Sequence, residues 1–137
     1  MSVLFLTESD VESLIDMTSS IEVVERAFAA LADGSAVNVP RARASASGFL
    51  LHSMSATAEY LGVAGWKNYT TTTAGARFHV ALYDLHSGRM LALIQANRLG
   101  QLRTGAASGV ATRHLARTDA TSMALLGTGW QAERQLE

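Results

Sequence analysis

No cysteine occurs in the 137 residues, which excludes disulfides, thiolate metal sites and cysteine nucleophiles. The four histidines, His52, His79, His86 and His114, show no metal-ligand spacing. Charge of one sign is also missing. Eleven Lys and Arg against twelve Asp and Glu leave a net charge of −1, without the electrostatic footprint of a nucleic-acid or membrane-surface binder. No apolar run approaches the ~20 residues that cross a bilayer. Met1 to Leu6 lacks the basic region and long apolar core of a signal peptide. Neither nucleic acid nor membrane is therefore an expected partner, and the absence of cysteine fits a cytoplasmic location. What is present is a globular composition, 48% hydrophobic, with room for one ordinary domain of roughly 100–150 residues.

Read in order, Val3 to Leu6 is a short strand or strand-like lead. Thr7 caps a helix that carries Val11, Leu14 and Ile15. Ser19, with Glu22 three residues on, has the spacing of a capping box for a second helix. Its apolar stripe is Val23, Val24, Ala27, Phe28 and Leu31, and Gly34 stops it. Strand candidates follow at 37–43, where Pro40 suits an edge, and at 49–54, 62–73, 77–84 and 89–96. The turn Leu85-His86-Ser87-Gly88 joins the last two as a hairpin. On its first strand Phe78, Val80 and Leu82 alternate with His79, Ala81 and Tyr83. After Gly100 the pattern is helical, with Leu102, Ala106, Gly109 and Val110 on one mostly small face. Two glycines inside a helix each cost about 1 kcal/mol, tolerable where close approach is needed.

The apolar run Met123-Ala124-Leu125-Leu126 opens directly into Gly127-Thr128-Gly129-Trp130-Gln131-Ala132. A strand that ends in G-x-G-x-x-A and enters a helix is the dinucleotide fingerprint. The first glycine permits the turn, the second admits a pyrophosphate, and the small third residue lets helix and strand pack closely. A complete unit needs ~30 residues, with an acidic residue about 20 positions after the glycines. The motif is expected to open a domain that the chain does not complete. The expected class is α/β: a substrate-binding and dimerisation domain over 1–118 with a mostly antiparallel sheet, then the start of a Rossmann domain over 119–137.

Leu102-Arg103-Thr104-Gly105-Ala106-Ala107-Ser108, followed by a strand and Gly127-Thr128-Gly129-x-Gln131-Ala132, resembles the ornithine cyclodeaminase/mu-crystallin family over nearly the whole chain. The resemblance implies an NAD- or NADP-dependent homodimer acting on a small amino, imino or keto acid. It also implies that Arg43, Lys67 and Arg103 grip the substrate carboxylate, with Lys67 catalytic. Thr104, Gly127, Thr128, Gly129, Gln131 and Ala132 would meet the cofactor.

The chemistry agrees with that assignment. A carboxylate is a planar anion that an arginine fork binds bidentately, and lysine adds a point charge able to polarise the reacting nitrogen or carbonyl. Arg103 is read as lying near the start of its helix, where the macrodipole favours an anion. Against these roles, any single arginine is more often a surface or ion-pair residue, and Arg41 competes with Arg43. His86 is read as a solvated turn residue and His114 as a helix-surface one; His79 alone is kept in view. Cyclodeaminases carry a glutamate whose matching place falls near Met54, with Glu59 the nearest carboxylate. A reductase or alanine dehydrogenase-like enzyme therefore fits better than ornithine cyclisation. The 137 residues alone are expected to be inactive and prone to aggregate, the alternative being a non-catalytic dimerisation or ligand-binding module.

Overall fold

The computed structural model describes residues 2–137. Seven strands form one sheet in the order β1 (Leu4–Leu6), β7 (Met90–Gln95), β6 (Gly75–Asp84), β5 (Val63–Thr72), β4 (Phe49–Ala58), β2 (Ala36–Asn38), with β3 (Ala42–Ala46) also on β4. All pairings are antiparallel except β1 with β7. The region read as one strand over 37–43 is thus two short ones. Pro40 lies in the gap between them, where it has no N–H to give β4, while Val39 N still donates to the Ser55 carbonyl at 2.9 Å.

Helix α1 (Glu8–Leu14) begins in a reciprocal box: Asp10 N donates to Thr7 Oγ1, and Thr7 N to Asp10 Oδ2 at 2.8 Å. Helix α2 (Met17–Asp33) starts earlier than expected. Its cap is Asp16, whose Oδ1 accepts from Ser19 N at 2.8 Å, so Ser19 is the third residue of the helix and not its cap. Gly34 ends it at φ +84°, the left-handed conformation open to glycine.

The core has two parts. Val11, Ala92 and Ile94 pack with Leu6, Ile15, Val80, Leu82 and Leu99 between α1, α3 (Asn97–Leu115) and the sheet. Met17, Leu102 and Ala106 join α2 to α3, with Ile21 and Val24 alongside. The inward stripe of α2 is therefore Met17 with the half-buried Ile21 and Val24, and Ala30 is buried further along. Val23, Phe28 and Leu31, expected inside, are exposed, because the narrow small-residue face of α3 covers only one stripe.

Two more expectations change. Helix α3 begins at Asn97, before Gly100, so Arg103 lies two turns inside it. The macrodipole acts over the first turn and gives Arg103 no special welcome for an anion. No strand forms over 122–126: Met123 and Leu126 are exposed, and no strand lies beside them to supply the hydrogen bonds that hold one together. The glycine turn itself forms, with Gly127 at φ +101°, and leads into α4 (Trp130–Glu133). No helix among the described residues is long and apolar enough to cross a membrane.

Candidate functional site

Antiparallel pairing brings distant residues onto one face, because directly opposed residues point the same way. One row reads Arg43, His52, Tyr69, Phe78, and the next reads Met54, Lys67, Val80. Val80 belongs to the core under α3, so this face lies toward that helix. His79 alternates to the other face of β6 and is exposed. The histidine that joins the site is His52, to which the sequence reading gave no role.

The aromatic rings of the first row form a floor. His52 stacks on Tyr69 with ring centroids 4.0 Å apart and an interplanar angle of 3°, and Tyr69 stacks on Phe78 at 4.6 Å. Cations lie over this floor. Lys67 Nζ is 5.1 Å from the Phe78 ring centre and 5.5 Å from that of Tyr69, and the Arg41 guanidinium is 5.5 Å from Tyr69. Alternating side chains along β5 were the available signal for Tyr69, two residues beyond Lys67.

Two cavities meet here. One of about 430 Å³ is lined by Arg41, Met54, Trp66, Lys67, Val80 and Arg103, among others. The second, about 480 Å³, is bordered by Lys67, Phe78, Asn97, Arg103, Trp130 and Gln131. Lys67 and Arg103 line both. Arg43 lines neither; Arg41, weighed as its competitor, takes the place beside Lys67 and Arg103. Met54, near which the sequence reading put the cyclodeaminase glutamate, lines the first cavity opposite Lys67, whereas Glu59 sits exposed in the 3-10 turn Glu59–Leu61.

The electrostatics follow from crowding of like charges. Burial, then the neighbouring charges of Arg103 and Arg41, bring the Lys67 ammonium down to about 8. Burial and Arg41 lower Arg103 as well, though a guanidinium stays charged. His52 is held below its usual range by burial and by the charges of Arg43 and Arg41. Among the described residues no ion pair reaches Arg41, Lys67 or Arg103. Three cations share one pocket without a counter-ion, and the pocket can take an anion.

Thr104 spends its hydroxyl proton on the Gly100 carbonyl at 2.7 Å, leaving its oxygen as an acceptor. Around Gly127 and Gly129 a Cβ would meet nothing within 4 Å, so the backbone of the turn is open. Ala132 N donates back to the Gly129 carbonyl at 2.8 Å, and Thr128 is exposed. Gln131 reaches the second cavity.

The family model described as "Ornithine cyclodeaminase/mu-crystallin family" matches residues 1–137. The chain is 37% identical to an alanine dehydrogenase of Archaeoglobus fulgidus over its whole length, spanning 44% of that protein. In structure it matches an archaeal alanine dehydrogenase dimer with bound NAD at a TM-score of 0.94, with 33% identity over 99% of this chain and 44% of the other. The pyrroline-2-carboxylate reductase of Thermococcus litoralis, solved with NADH and L-proline, matches at 0.90 with 34% identity, over 98% of this chain and 44% of the other. The chain thus spans less than half the length of these relatives. With a model match from end to end and the same fold beneath it, this chain belongs to the ornithine cyclodeaminase/mu-crystallin family.

Proposed function

We propose that this chain supplies the substrate-carboxylate grip of an NAD(P)-dependent enzyme acting on a small amino, imino or keto acid. The observation that carries the reading is that Lys67 and Arg103 line both cavities. A substrate anion in the first and a dinucleotide in the second would meet at these two side chains. Arg41 and Arg103 offer forks for the carboxylate. Arg41, rather than Arg43, is the better third member, because it shares the cavity.

Lys67 has a second task. An amine that titrates at about 8 holds or releases a proton near neutral pH. Beside a 2-oxo or 2-imino group it would polarise the oxygen or nitrogen and receive or return the proton as that centre changes oxidation state. The dinucleotide, when bound, supplies or accepts the hydride. Gly127 and Gly129, with open space around their backbones, fit the approach of its phosphates, with Thr128, Gln131 and Ala132 beside them. Thr104 can contribute an acceptor oxygen. The methionine at position 54 favours reduction or dehydrogenation over ornithine cyclisation. NAD(H) is favoured over NADP(H) by the relatives solved with NAD and NADH. A homodimer is supported by the dimeric alanine dehydrogenase. A cytoplasmic location, and a division of function between residues 1–118 and 119–137, belong to the same reading.

The test is a titration of the chain with pyruvate, followed by the NMR signals of the Lys67 and Arg103 side chains. Saturable shifts are expected. Arg41→Ala and Arg103→Ala should weaken binding at least about tenfold, the worth of one charged hydrogen bond, and Arg43→Ala by less than about threefold. Equal loss on Arg43→Ala, or no response to pyruvate at all, would refute the assignment.

A further inference from the structure

A second network, apart from the grip, ties α3 to the turn that follows the glycines. Gln101 is fully buried, an unusual place for an amide. Both of its ends are used. Its Oε1 accepts from Arg98 Nη1 at 3.2 Å. Its Nε2 donates to the Trp130 carbonyl at 2.5 Å and to Glu133 Oε2 at 3.1 Å. The Arg98 guanidinium lies 4.5 Å from the centre of the Trp130 ring. One turn further along the helix, a Cβ on Gly105 would stand 2.0 Å from the Arg134 carbonyl oxygen. Only glycine lets this backbone seat against α3.

At about 100° per residue, Gln101 and Arg103 point to nearly opposite sides of the helix. Arg103 therefore turns toward the shared cavities while Gln101, further round the helix, holds the glycine-turn segment. The segment held is the one whose Trp130 and Gln131 line the second cavity across from Lys67 and Arg103.

We propose that Gln101 is a positioning residue: by clasping the Trp130 carbonyl and the Glu133 carboxylate, with Gly105 clearing the way, it sets the gap between the glycine turn and the Lys67–Arg103 pair. The proposal rests on the reading above, in which that gap is where dinucleotide and substrate meet. Gln101 touches neither, so its effect is on the relative placement of the two.

Trp130 reports the clasp directly. In a Trp66→Phe background it is the single tryptophan, and its accessibility is read by acrylamide quenching. Trp130 is already 52% exposed, so Gln101→Leu should raise the quenching rate reproducibly but by less than about twofold. Gly105→Ala, which expels the Arg134 backbone by a different route, should do the same. Circular dichroism of both variants identifies any that fail to fold, and either one suffices. Gln101→Glu adds a signature that mere loss of packing would not produce. Ionised, it cannot donate and faces Glu133. Burial and the facing Glu133 raise its pKa; once protonated as the pH falls, it donates to the Trp130 carbonyl, and quenching returns toward the parent value, whereas Gln101→Leu shows no such return. Unchanged quenching in folded Gln101→Leu and Gly105→Ala would overturn the clasp. Pyruvate binding is measured separately on the unaltered chain with Trp66 in place, because Trp66 lines the first cavity: that chain blind to pyruvate overturns the carboxylate reading whatever Trp130 does.

Discussion

Glu8 caps the helix that Asn97 begins. Its Oε1 accepts from Asn97 N at 2.7 Å and its Oε2 from Arg98 N at 2.8 Å, while Glu8 N donates to Gln95 Oε1 at 3.0 Å. Helix α3 has no side-chain cap of its own, since Ala96 precedes it. A residue 89 positions away satisfies two of its orphan donors and places negative charge at the positive end of its dipole. Glu8→Ala should cost about 1–2 kcal/mol, seen as a melting temperature about 5 °C lower. Glu8→Gln, which keeps one acceptor, should cost less than half of that. Equal melting of Glu8→Ala and the parent would count against the cap.

Lys67 titrates at about 8, and the proposed carboxylate grip requires its protonated form. Pyruvate affinity should therefore fall as pH rises from about 7 to 9, and Lys67→Arg should flatten the profile, since a guanidinium keeps its charge. The stability effect has the opposite sense. The folded value lies below the unfolded one, so the unfolded chain binds more protons between about 8 and 10.5, and stability rises with pH across that window. Below pH 8 the cost is constant. Lys67→Met should thus stabilise the protein at pH 7 by about 1 kcal/mol, after discount for solvent screening, and abolish pyruvate binding. Thermal melts at pH 7 and 10 check both signs.

His52 is buried, and its Nδ1 has no hydrogen-bond partner among the described residues, while Nε2 shares one with Thr71 Oγ1 at 3.3 Å. Its lowered pKa means that the unfolded chain takes the proton first. The histidine's contribution to stability is present above pH 6.5 and is lost as pH falls below that value. His52→Phe, which keeps the stack on Tyr69, should give a melting temperature that falls less between pH 7 and 5. An identical decline in both proteins would refute the role.

Two glycines separate close approach from mere permissiveness. At Gly65 a Cβ would sit 2.6 Å from the Ala81 backbone oxygen, which the β5–β6 ladder holds in place. Gly65→Ala should cost about 2–3 kcal/mol and narrow the first cavity, which Gly65 lines. At Gly109 the nearest atom, at 3.0 Å, is Cδ1 of Ile21, the end of a flexible side chain. There the gain of about 1 kcal/mol in helix propensity offsets the adjustment, and Gly109→Ala should be neutral within about 0.5 kcal/mol. Chemical denaturation of the two variants tests the contrast.

Local rules carried far in this chain. Thr7 caps α1, Gly34 stops α2, and Leu85 to Gly88 turns β6 into β7, because capping and turn chemistry act over a few residues and leave their mark in order along the chain. The small face of α3 was legible for the same reason, and at Gly105 the close approach that it foretold is with the Arg134 backbone.

The sequence by itself determined the mostly antiparallel sheet with packed helices and the glycine turn at 127–129, and its family resemblance singled out Lys67 and Arg103, which line both cavities. Only the tertiary structure decided which of the two neighbouring arginines stands with them. Arg41 and Arg43 are two residues apart, and strand periodicity alone does not distinguish them; cavity geometry brings Arg41 beside Lys67. Long-range contact likewise decided the Glu8 cap and the clasp of Gln101 on Trp130, pairings 89 and 29 residues apart that no local pattern encodes. The apolar run at 123–126 makes the converse point: its pattern is that of a strand, but a strand exists only where another lies beside it to accept its hydrogen bonds.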